Sequence, residues 1–146
     1  MSAKKIIVEQ GKDEFLRIGF GQRGNTTDDV VGNVFNIMAL GTGVGDYNQS
    51  STELIQEIDL GQYNYNRIEV EYTPEQGDKK VEMAATVLTS NIDPDPSQEM
   101  VTITEIGLVN SLEKVDEEIF FCLCQMPPIP KNKDIALLYM IVVELE

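Results

Sequence analysis

Two glycine-rich segments in the first third of the chain have spacings that could hold a phosphate group. The run Gly19-Phe20-Gly21-Gln22-Arg23-Gly24 matches the G-x-G-x-x-G pattern of dinucleotide-binding turns. Such a turn joins a strand to a helix, whereas residues 25–32 lack the apolar period of a helix. The run 41–45, Gly-Thr-Gly-Val-Gly, lacks the Lys-Ser/Thr pair that ends a P-loop, and the Asp46 that follows it would repel a phosphate. We therefore interpret the first segment as a flexible glycine loop and the second as a tight glycine-rich crossing, and we predict no cofactor.

Catalytic chemistry has no visible set of residues in this sequence. The chain contains no histidine, so its serines and its two cysteines lack the usual general base. Its 25 acidic residues make chance carboxylate pairs inevitable, and spacing alone identifies no acid–base pair among them. We predict no catalytic residue and a protein that is not an enzyme.

Metal-ligating residue types occur, but without the spacing of a known site. The acidic clusters Asp28-Asp29, Asp93-Pro94-Asp95 and Asp116-Glu117-Glu118 could hold calcium, yet none has the twelve-residue loop of an EF-hand. Cys122 and Cys124 would point to the same face of one strand, where a disulfide would strain the extended backbone and zinc would need further ligands. We predict two free, buried thiols, solvated acidic loops and no metal site.

Length and charge restrict the class of protein further. A chain of 146 residues suits one domain with one core. Its net charge of −14 would repel phosphate backbones, so we predict no nucleic-acid partner. No apolar run approaches the roughly 20 residues that cross a bilayer, and the apolar run at Ile6–Val8 is too short for a signal peptide core, so we predict no membrane partner.

The elements that position these residues are predicted to be strands, because alternation of apolar and polar residues dominates from residue 67 onward. A Pro/Gly turn at 73–78 would join two of the strands in a hairpin, and 91–97 would be a loop. The predicted strands are Lys5–Glu9, Phe15–Phe20, Val34–Leu40, 67–72, 81–88, Val101–Val109, 119–125 and 135–145.

Three further segments have distinct expected roles. Ser50 and Glu53 fit a capping box, which predicts a short helical turn over 50–58. The proline-rich run 126–130 is predicted to leave the sheet as an extended link. The last strand is apolar on both faces, so both are expected to be covered, by the partner sheet or by another subunit. Together these features predict an all-β fold, an antiparallel β-sandwich over 34–146 with an irregular N-terminal arm over 1–33 and at most one short helix.

Four blocks of the sequence resemble, in order, the N-terminal domains of phage tail-collar fibre proteins and related virion proteins. The run 35–43, Phe-Asn-Ile-Met-Ala-Leu-Gly-Thr-Gly, is similar to the family's I-A-L-G-T-G opening, and Thr52–Ile58 is similar to its T-x-L-x-x-E-I stretch. Ile103–Val109 resembles I-T-E-I-G-L-F, and 126–134 resembles F-P-P-I-x-K-T-x-x-D. These blocks span residues 35–145. Residues 1–33 have no counterpart, and where the family often has an arginine before the proline-rich run this chain has 122–125, Cys-Leu-Cys-Gln.

The resemblance implies a structural subunit of a tailed-phage virion, an attachment or adaptor module in the tail, baseplate, neck or capsid surface. It implies assembly with copies of the chain itself, as a trimer or ring, and with neighbouring virion proteins, in particles formed in the host cytoplasm. The alternative is a module that recognises a host-surface glycan or protein through loops 41–51 and 91–97, in which Tyr47 is the one aromatic residue.

Overall fold

The protein is an antiparallel β-structure with one short α-helix, seen in a computed structural model that describes residues 4–19, 34–75, 80–94 and 100–144. This confirms the predicted all-β class. The helix is α1 (Glu9–Gly19), and Gln62–Asn64 form a turn of 3₁₀ helix. The strands are β1 (Lys4–Ile7), β2 (Ile37–Gly41), β3 (Ile68–Glu69), β4 (Glu71–Glu75), β5 (Lys80–Val87), β6 (Val101–Val109), β7 (Phe120–Lys131) and β8 (Leu137–Glu144).

The strands form two sheets. The larger has the order β1-β7-β6-β2-β3 and the smaller the order β4-β5-β8, and every pairing is antiparallel. A hairpin of β4 and β5 is present, but the strand predicted over 67–72 is divided: Ile68–Glu69 belong to the larger sheet, and β4 continues to Glu75 through the start of the predicted turn. The strand predicted over Val101–Val109 is β6. Strand β1 pairs with β7, so the beginning of the predicted N-terminal arm belongs to the larger sheet.

The main core lies between the two sheets. Met38, Leu108 and Cys122 of the larger sheet share one buried apolar cluster with Met83 and Ile141 of the smaller sheet. A second buried cluster covers the opposite face of the larger sheet; its members are Val8, Ile37, Ala39, Leu54, Val109, Phe120 and Leu123. Both faces of the larger sheet are therefore buried, which explains the nearly continuous apolar sequence of β6 and β7.

The prediction of a strand over Phe15–Phe20 was wrong, because residues 9–19 form α1. The helix packs against β7 through residues that are spaced four apart and so lie on one face. A Cβ atom at Gly11 would lie 2.5 Å from the Cα atom of Phe121, and the rings of Phe15 and Phe121 lie 5.8 Å apart. This spacing of contacts is helical rather than alternating.

The helical turn predicted over 50–58 was also wrong, because its polar groups have other partners. The backbone N–H groups of Ile55 and Gln56 donate to the side chain of Glu105. The N–H of Ile58 donates to the carbonyl of Leu40, and Ser50 hydrogen-bonds the side chain of Asn48. The segment thus lies along the end of β2, where Glu57 forms an isolated bridge with Gly41.

The proline-rich run does not leave the sheet, contrary to prediction. Strand β7 continues to Lys131, and Ile129 and Pro130 lie opposite Ile103 and Thr102 of β6. The register shifts between Ile103 and Glu105, which leaves residues 126–128 in an irregularity of the ladder. Strand β1 covers only residues 122–125 of β7, so the prolines lie at a bulge and an edge, where a missing N–H is tolerated.

Candidate functional site

The most unusual polar group of the larger sheet is the side chain of Glu105 in β6, which is fully buried. One carboxylate oxygen accepts hydrogen bonds from the N–H groups of Gly43, at 2.8 Å, and Gln56, at 3.0 Å. The other accepts from the N–H of Ile55, at 2.7 Å, and from the hydroxyl of Tyr47. We call these residues the Glu105 cluster. Four donors satisfy a charge that burial would otherwise make very costly.

Neighbouring side chains fix the loop that supplies these donors. The carbonyl of Gly43 accepts hydrogen bonds from the hydroxyl of Thr104 and from the amide of Gln125, at 3.1 Å. A Cβ atom at residue 43 would lie 2.7 Å from the Glu105 carboxylate, so only glycine permits this approach. Burial, followed by the hydrogen bond to Glu105, raises the pKa of Tyr47, which keeps its hydroxyl a donor.

A second buried polar group, Arg67, lies between β3 and the segment that precedes β7. Its Nε and Nη2 atoms donate to the two carboxylate oxygens of Glu57 at 2.8 and 2.7 Å. Its Nη1 atom donates to the carboxylate of Glu118 and to the carbonyls of Ser111 and Glu113, the latter two at 3.1 Å. We call Arg67, Glu57, Glu118 and Tyr65 the Arg67 cluster.

Tyr65 connects the Arg67 cluster to β2. Its hydroxyl donates to Glu57 at 2.9 Å and accepts from the N–H of Leu40 at 2.9 Å. Burial and the nearby negative charge of Glu57 raise the pKa of Tyr65. Burial opposes the charge of Arg67, but hydrogen bonds with Glu57 and Glu118 outweigh it and raise the pKa of the guanidinium. The bidentate geometry is specific to arginine.

Both clusters are chemically saturated. The oxygens of Glu105 have four protein donors, and every nitrogen of Arg67 has a protein acceptor. A general acid or base needs a free position toward a substrate, and an anion site needs free N–H groups. The clusters therefore hold loops to the larger sheet, and their role is structural.

The glycine loop 41–45 does bind an anion, but the anion is the chain's own carboxylate. The N–H of Gly43 donates to Glu105, in the way that a phosphate loop donates to its ligand. The structure agrees with the interpretation as a tight crossing, because Gly41 ends β2 and Gly43 passes close to the side chain of Glu105 and the backbone of Gln56. Of the other run, 19–24, only Gly19 is described, at the end of α1, and residues 20–24 lie outside the described residues.

The structure describes only some residues of the three acidic clusters, and their surroundings differ. Asp28-Asp29 and Asp95 lie outside the described residues. Glu118, predicted to be a solvated charge, instead pairs with Arg67. Within the described ranges no group of three or more His, Cys, Asp or Glu side chains could hold a metal ion.

The two cysteines occupy the predicted positions. Both thiols are free and buried, and both side chains belong to the core between the sheets. Burial raises the pKa of Cys122 to about 12, so this thiol is protonated at neutral pH.

Sequence reasoning missed Glu105 and Arg67 as buried polar residues. A signal existed for Glu105, because a single acid in the otherwise uncharged strand Val101–Val109 must be paired if the strand is buried on both faces. Arg67 gave no such signal, because it alternates with Ile68 like an exposed residue of a half-buried strand.

Comparisons with protein-family models, with curated proteins and with solved structures found no match. Among the described residues, no helix has the length and apolar character needed to cross a membrane. The case for a function therefore depends on the clusters and surfaces of this chain and on the resemblance of its four blocks.

Proposed function

We propose that this chain is a non-enzymatic structural subunit of a tailed-phage-like virion. It acts as an attachment or adaptor module in the tail, baseplate, neck or capsid surface, and it assembles with copies of itself and with neighbouring virion proteins. Under this proposal the four sequence blocks of the resemblance build a rigid scaffold, and the exposed apolar residues of β8 make the contacts.

The observation that carries the proposal is that the four blocks of the resemblance are joined in space. Gly43 of the first block and Gln56 of the second donate to Glu105 of the third. Ile129 of the fourth block lies opposite Ile103 of the third in the ladder of β6 and β7. Segments far apart in the sequence thus form one hydrogen-bonded unit, as expected if the resemblance reflects a shared scaffold rather than chance similarity.

Strand β8 provides the surface that we assign to contact with a neighbouring copy. Its core face is buried at Tyr139 and Ile141, whereas Leu138 and Met140 on the opposite face are 64% and 55% exposed. The sequence predicted that both faces would be covered. One face is covered within the chain, and we propose that a second copy covers the other.

Among the described residues, no strand pairs with the outer edge of β8. Strand β8 is the last strand in the order of the smaller sheet. The carbonyl of Val142 accepts a hydrogen bond from the Lys5 ammonium at 2.8 Å, which places that carbonyl on the side away from β5. Because alternate residues of an antiparallel strand direct their polar groups to the same side, those of Leu138 and Met140 also lie along this edge. An edge with exposed apolar side chains is a site of strand pairing.

Charge favours this surface for contact between copies. Two chains that each carry a net charge of −14 repel one another over most of their surfaces. Residues 135–143 include no charged side chain, so this strand is a place where two copies can approach without that repulsion.

The location on particles can be tested by immunogold labelling of purified particles, viewed by negative-stain electron microscopy. Label at the tail, baseplate or neck supports an adaptor, and label over the head supports a capsid-surface subunit. Absence of label from particles, with the protein found free in cell extracts, contradicts the proposal.

Self-association can be tested separately by light scattering coupled to gel filtration. We expect the wild-type chain to form an oligomer, and Leu138→Glu combined with Met140→Glu to shift it toward monomer. Leu112→Glu is the matched control, since Leu112 is 46% exposed but lies far from β8 in sequence and outside this surface. A monomeric wild-type chain, or an oligomer unaffected by the β8 changes, contradicts the assignment of this surface.

A further inference from the structure

A wide groove lies beside the start of β6 and borders the two clusters, since Gln56 of the Glu105 cluster and Glu57 of the Arg67 cluster are among its lining residues. Its volume is about 860 Å³, within the usual range for a ligand cleft. It lies between β6 and the segment that follows the Glu105-bound loop. We call it the Tyr63 groove; the residues that concern its chemistry are Gln56, Asp59, Gln62, Tyr63, Thr102 and Pro128.

The polar side chains of the groove are free to bind a ligand. Gln56, Asp59, Gln62 and Thr102 are all exposed. Within the described part of the chain, none of their side chains forms a hydrogen bond or an ion pair with another protein group. They offer amide donors, amide and carboxylate acceptors and a hydroxyl, which is the set that pairs with neighbouring hydroxyl groups of a ligand.

The aromatic residue of the groove is held in an unusual backbone conformation. Tyr63 has φ 56° and ψ 24°, in the left-handed region that non-glycine residues rarely adopt. Its carbonyl accepts a hydrogen bond from the N–H of Asp93 at 2.7 Å, and the adjacent Ile92, fully buried, also has a positive φ of 53°. The hydrogen bond thus joins the two turns that contain these positive φ angles, and it holds the backbone of Tyr63 in place. Strain of this kind concentrates at sites of function.

The charges of the groove exclude one class of ligand. Asp59 lines the groove with a free carboxylate, whereas the charge of the other lining acid, Glu57, is paired with Arg67; no lysine or arginine is among the lining residues within the described ranges. An anion would meet the Asp59 carboxylate and the chain's net charge of −14. A phosphate, a sulfated sugar or a sialic acid is therefore disfavoured, and an uncharged ligand is favoured.

A peptide would find little backbone to pair with in this groove. Strand β2 pairs with residues 105–109 of β6, and within the described ranges residues 101–104 are unpaired on that side. That length is shorter than an average strand, so an added strand would form few hydrogen bonds. The free side chains, rather than the strand edge, dominate what the groove offers.

We propose that the Tyr63 groove binds a neutral saccharide. The apolar faces of sugar rings would lie against Tyr63 and Pro128, and the ring hydroxyls would pair with Gln62, Asp59 and Thr102. This activity goes beyond the structural role proposed above, and it would give a subunit on a particle surface a contact with glycans. Tyr47, the one aromatic residue of the loops considered from the sequence, donates its hydroxyl to Glu105, whereas Tyr63 lines the groove.

The test is binding of the fluorescently labelled full-length chain to an array of neutral and acidic oligosaccharides, followed by calorimetric titration of the compounds that bind. We expect binding to neutral compounds only. Tyr63→Gly removes the ring and keeps a residue that tolerates positive φ, and affinity should fall about tenfold; because the ring also packs against the core, binding is compared only after the variant is shown to be folded. Gln62→Ala should weaken binding about fivefold through lost hydrogen bonds.

The matched control is Gln49→Ala, an exposed glutamine outside the groove, which should bind like the wild type. Circular dichroism would verify that each variant is folded. The proposal is overturned if no neutral compound on the array binds, if acidic compounds bind equally well, or if both groove variants keep full affinity. Binding confined to a parallel panel of peptides would also overturn it.

Discussion

The carboxylate of Glu105 accepts a hydrogen bond from the backbone N–H of Gly43, which precedes it in the chain by 62 residues. The same carboxylate takes the N–H groups of Ile55 and Gln56, where a helix or a strand partner would otherwise be needed. One buried carboxylate thus satisfies backbone N–H groups of the 50–58 segment, which has little regular secondary structure. The segment in turn places Leu54 on the outer face of the larger sheet.

Glu105→Gln should destabilise the protein by about 2–4 kcal/mol, because the amide NH₂ would face donors where the carboxylate presents acceptors. Unfolding in urea, followed by circular dichroism, measures the loss. Glu71→Gln is the control, since Glu71 is exposed on β4 and its change should stay within about 0.5 kcal/mol. Equal effects of the two substitutions would contradict the structural role of Glu105.

Arg67→Lys should cost about 3 kcal/mol although it keeps the positive charge. A lysine cannot make the bidentate contact with Glu57 while also reaching Glu118 and two carbonyls, so buried carboxylates would lose their donors. Thermal unfolding compared with Lys114→Arg, an exposed basic position, checks this. A melting temperature unchanged by Arg67→Lys would show that simple charge is sufficient.

The fold class could be predicted from alternation, which is clear in β5, where Met83, Ala85 and Val87 are buried and the residues between them are not. The helix α1 could not. Its contacts depend on Gly11 and Phe15 meeting β7, and nothing local in the sequence reveals that surface. Likewise, the 50–58 segment has the capping residues of a helix, and a buried acid fifty residues later decides its conformation.

The candidate site could be predicted from the sequence to a lesser extent than the fold. The sequence distinguishes the glycine loop from a P-loop by its missing lysine, but it does not reveal the partner of the loop, Glu105, which is 62 residues away from Gly43. The Tyr63 groove depends on a backbone conformation that Tyr63 and Ile92 adopt only because the two turns bind each other. Propensity gives no signal for positive φ at tyrosine or isoleucine.

Tyr139→Phe should stabilise the protein by about 1 kcal/mol at neutral pH. The hydroxyl of Tyr139 is buried, and it finds no hydrogen-bond partner in the described ranges, so its removal relieves a desolvation cost while the ring keeps its packing. Tyr65→Phe provides the contrast. It should destabilise, because it breaks hydrogen bonds with Glu57 and Leu40. Chemical unfolding measures the free energy of unfolding of both variants. A Tyr139→Phe variant that is no more stable than the wild type would contradict the expectation.

The same tyrosine predicts a loss of stability at high pH. Burial raises the pKa of Tyr139 from 10.0 to about 12 in the folded state. Above pH 10 the unfolded chain releases this proton and the folded chain retains it. The stability that this group contributes is therefore complete below pH 10 and is lost as the pH rises toward 12. The free energy of unfolding should accordingly fall over this range, and the advantage of Tyr139→Phe over the wild type should widen. A constant difference between pH 8 and pH 11 would contradict this.

Native Cys122 should resist thiol reagents. Burial raises the pKa of its thiol to about 12, so at pH 8 almost none is thiolate, and the side chain has no route to solvent unless the sandwich opens. With a chromogenic disulfide reagent, we expect the native chain to react at least about 100-fold more slowly than the chain unfolded in guanidinium. Cys124→Ala isolates Cys122, and Cys122→Ala isolates Cys124, whose pKa burial also raises. Rapid titration of Cys122 in the native Cys124→Ala variant would mean that the core between the sheets is open to solvent.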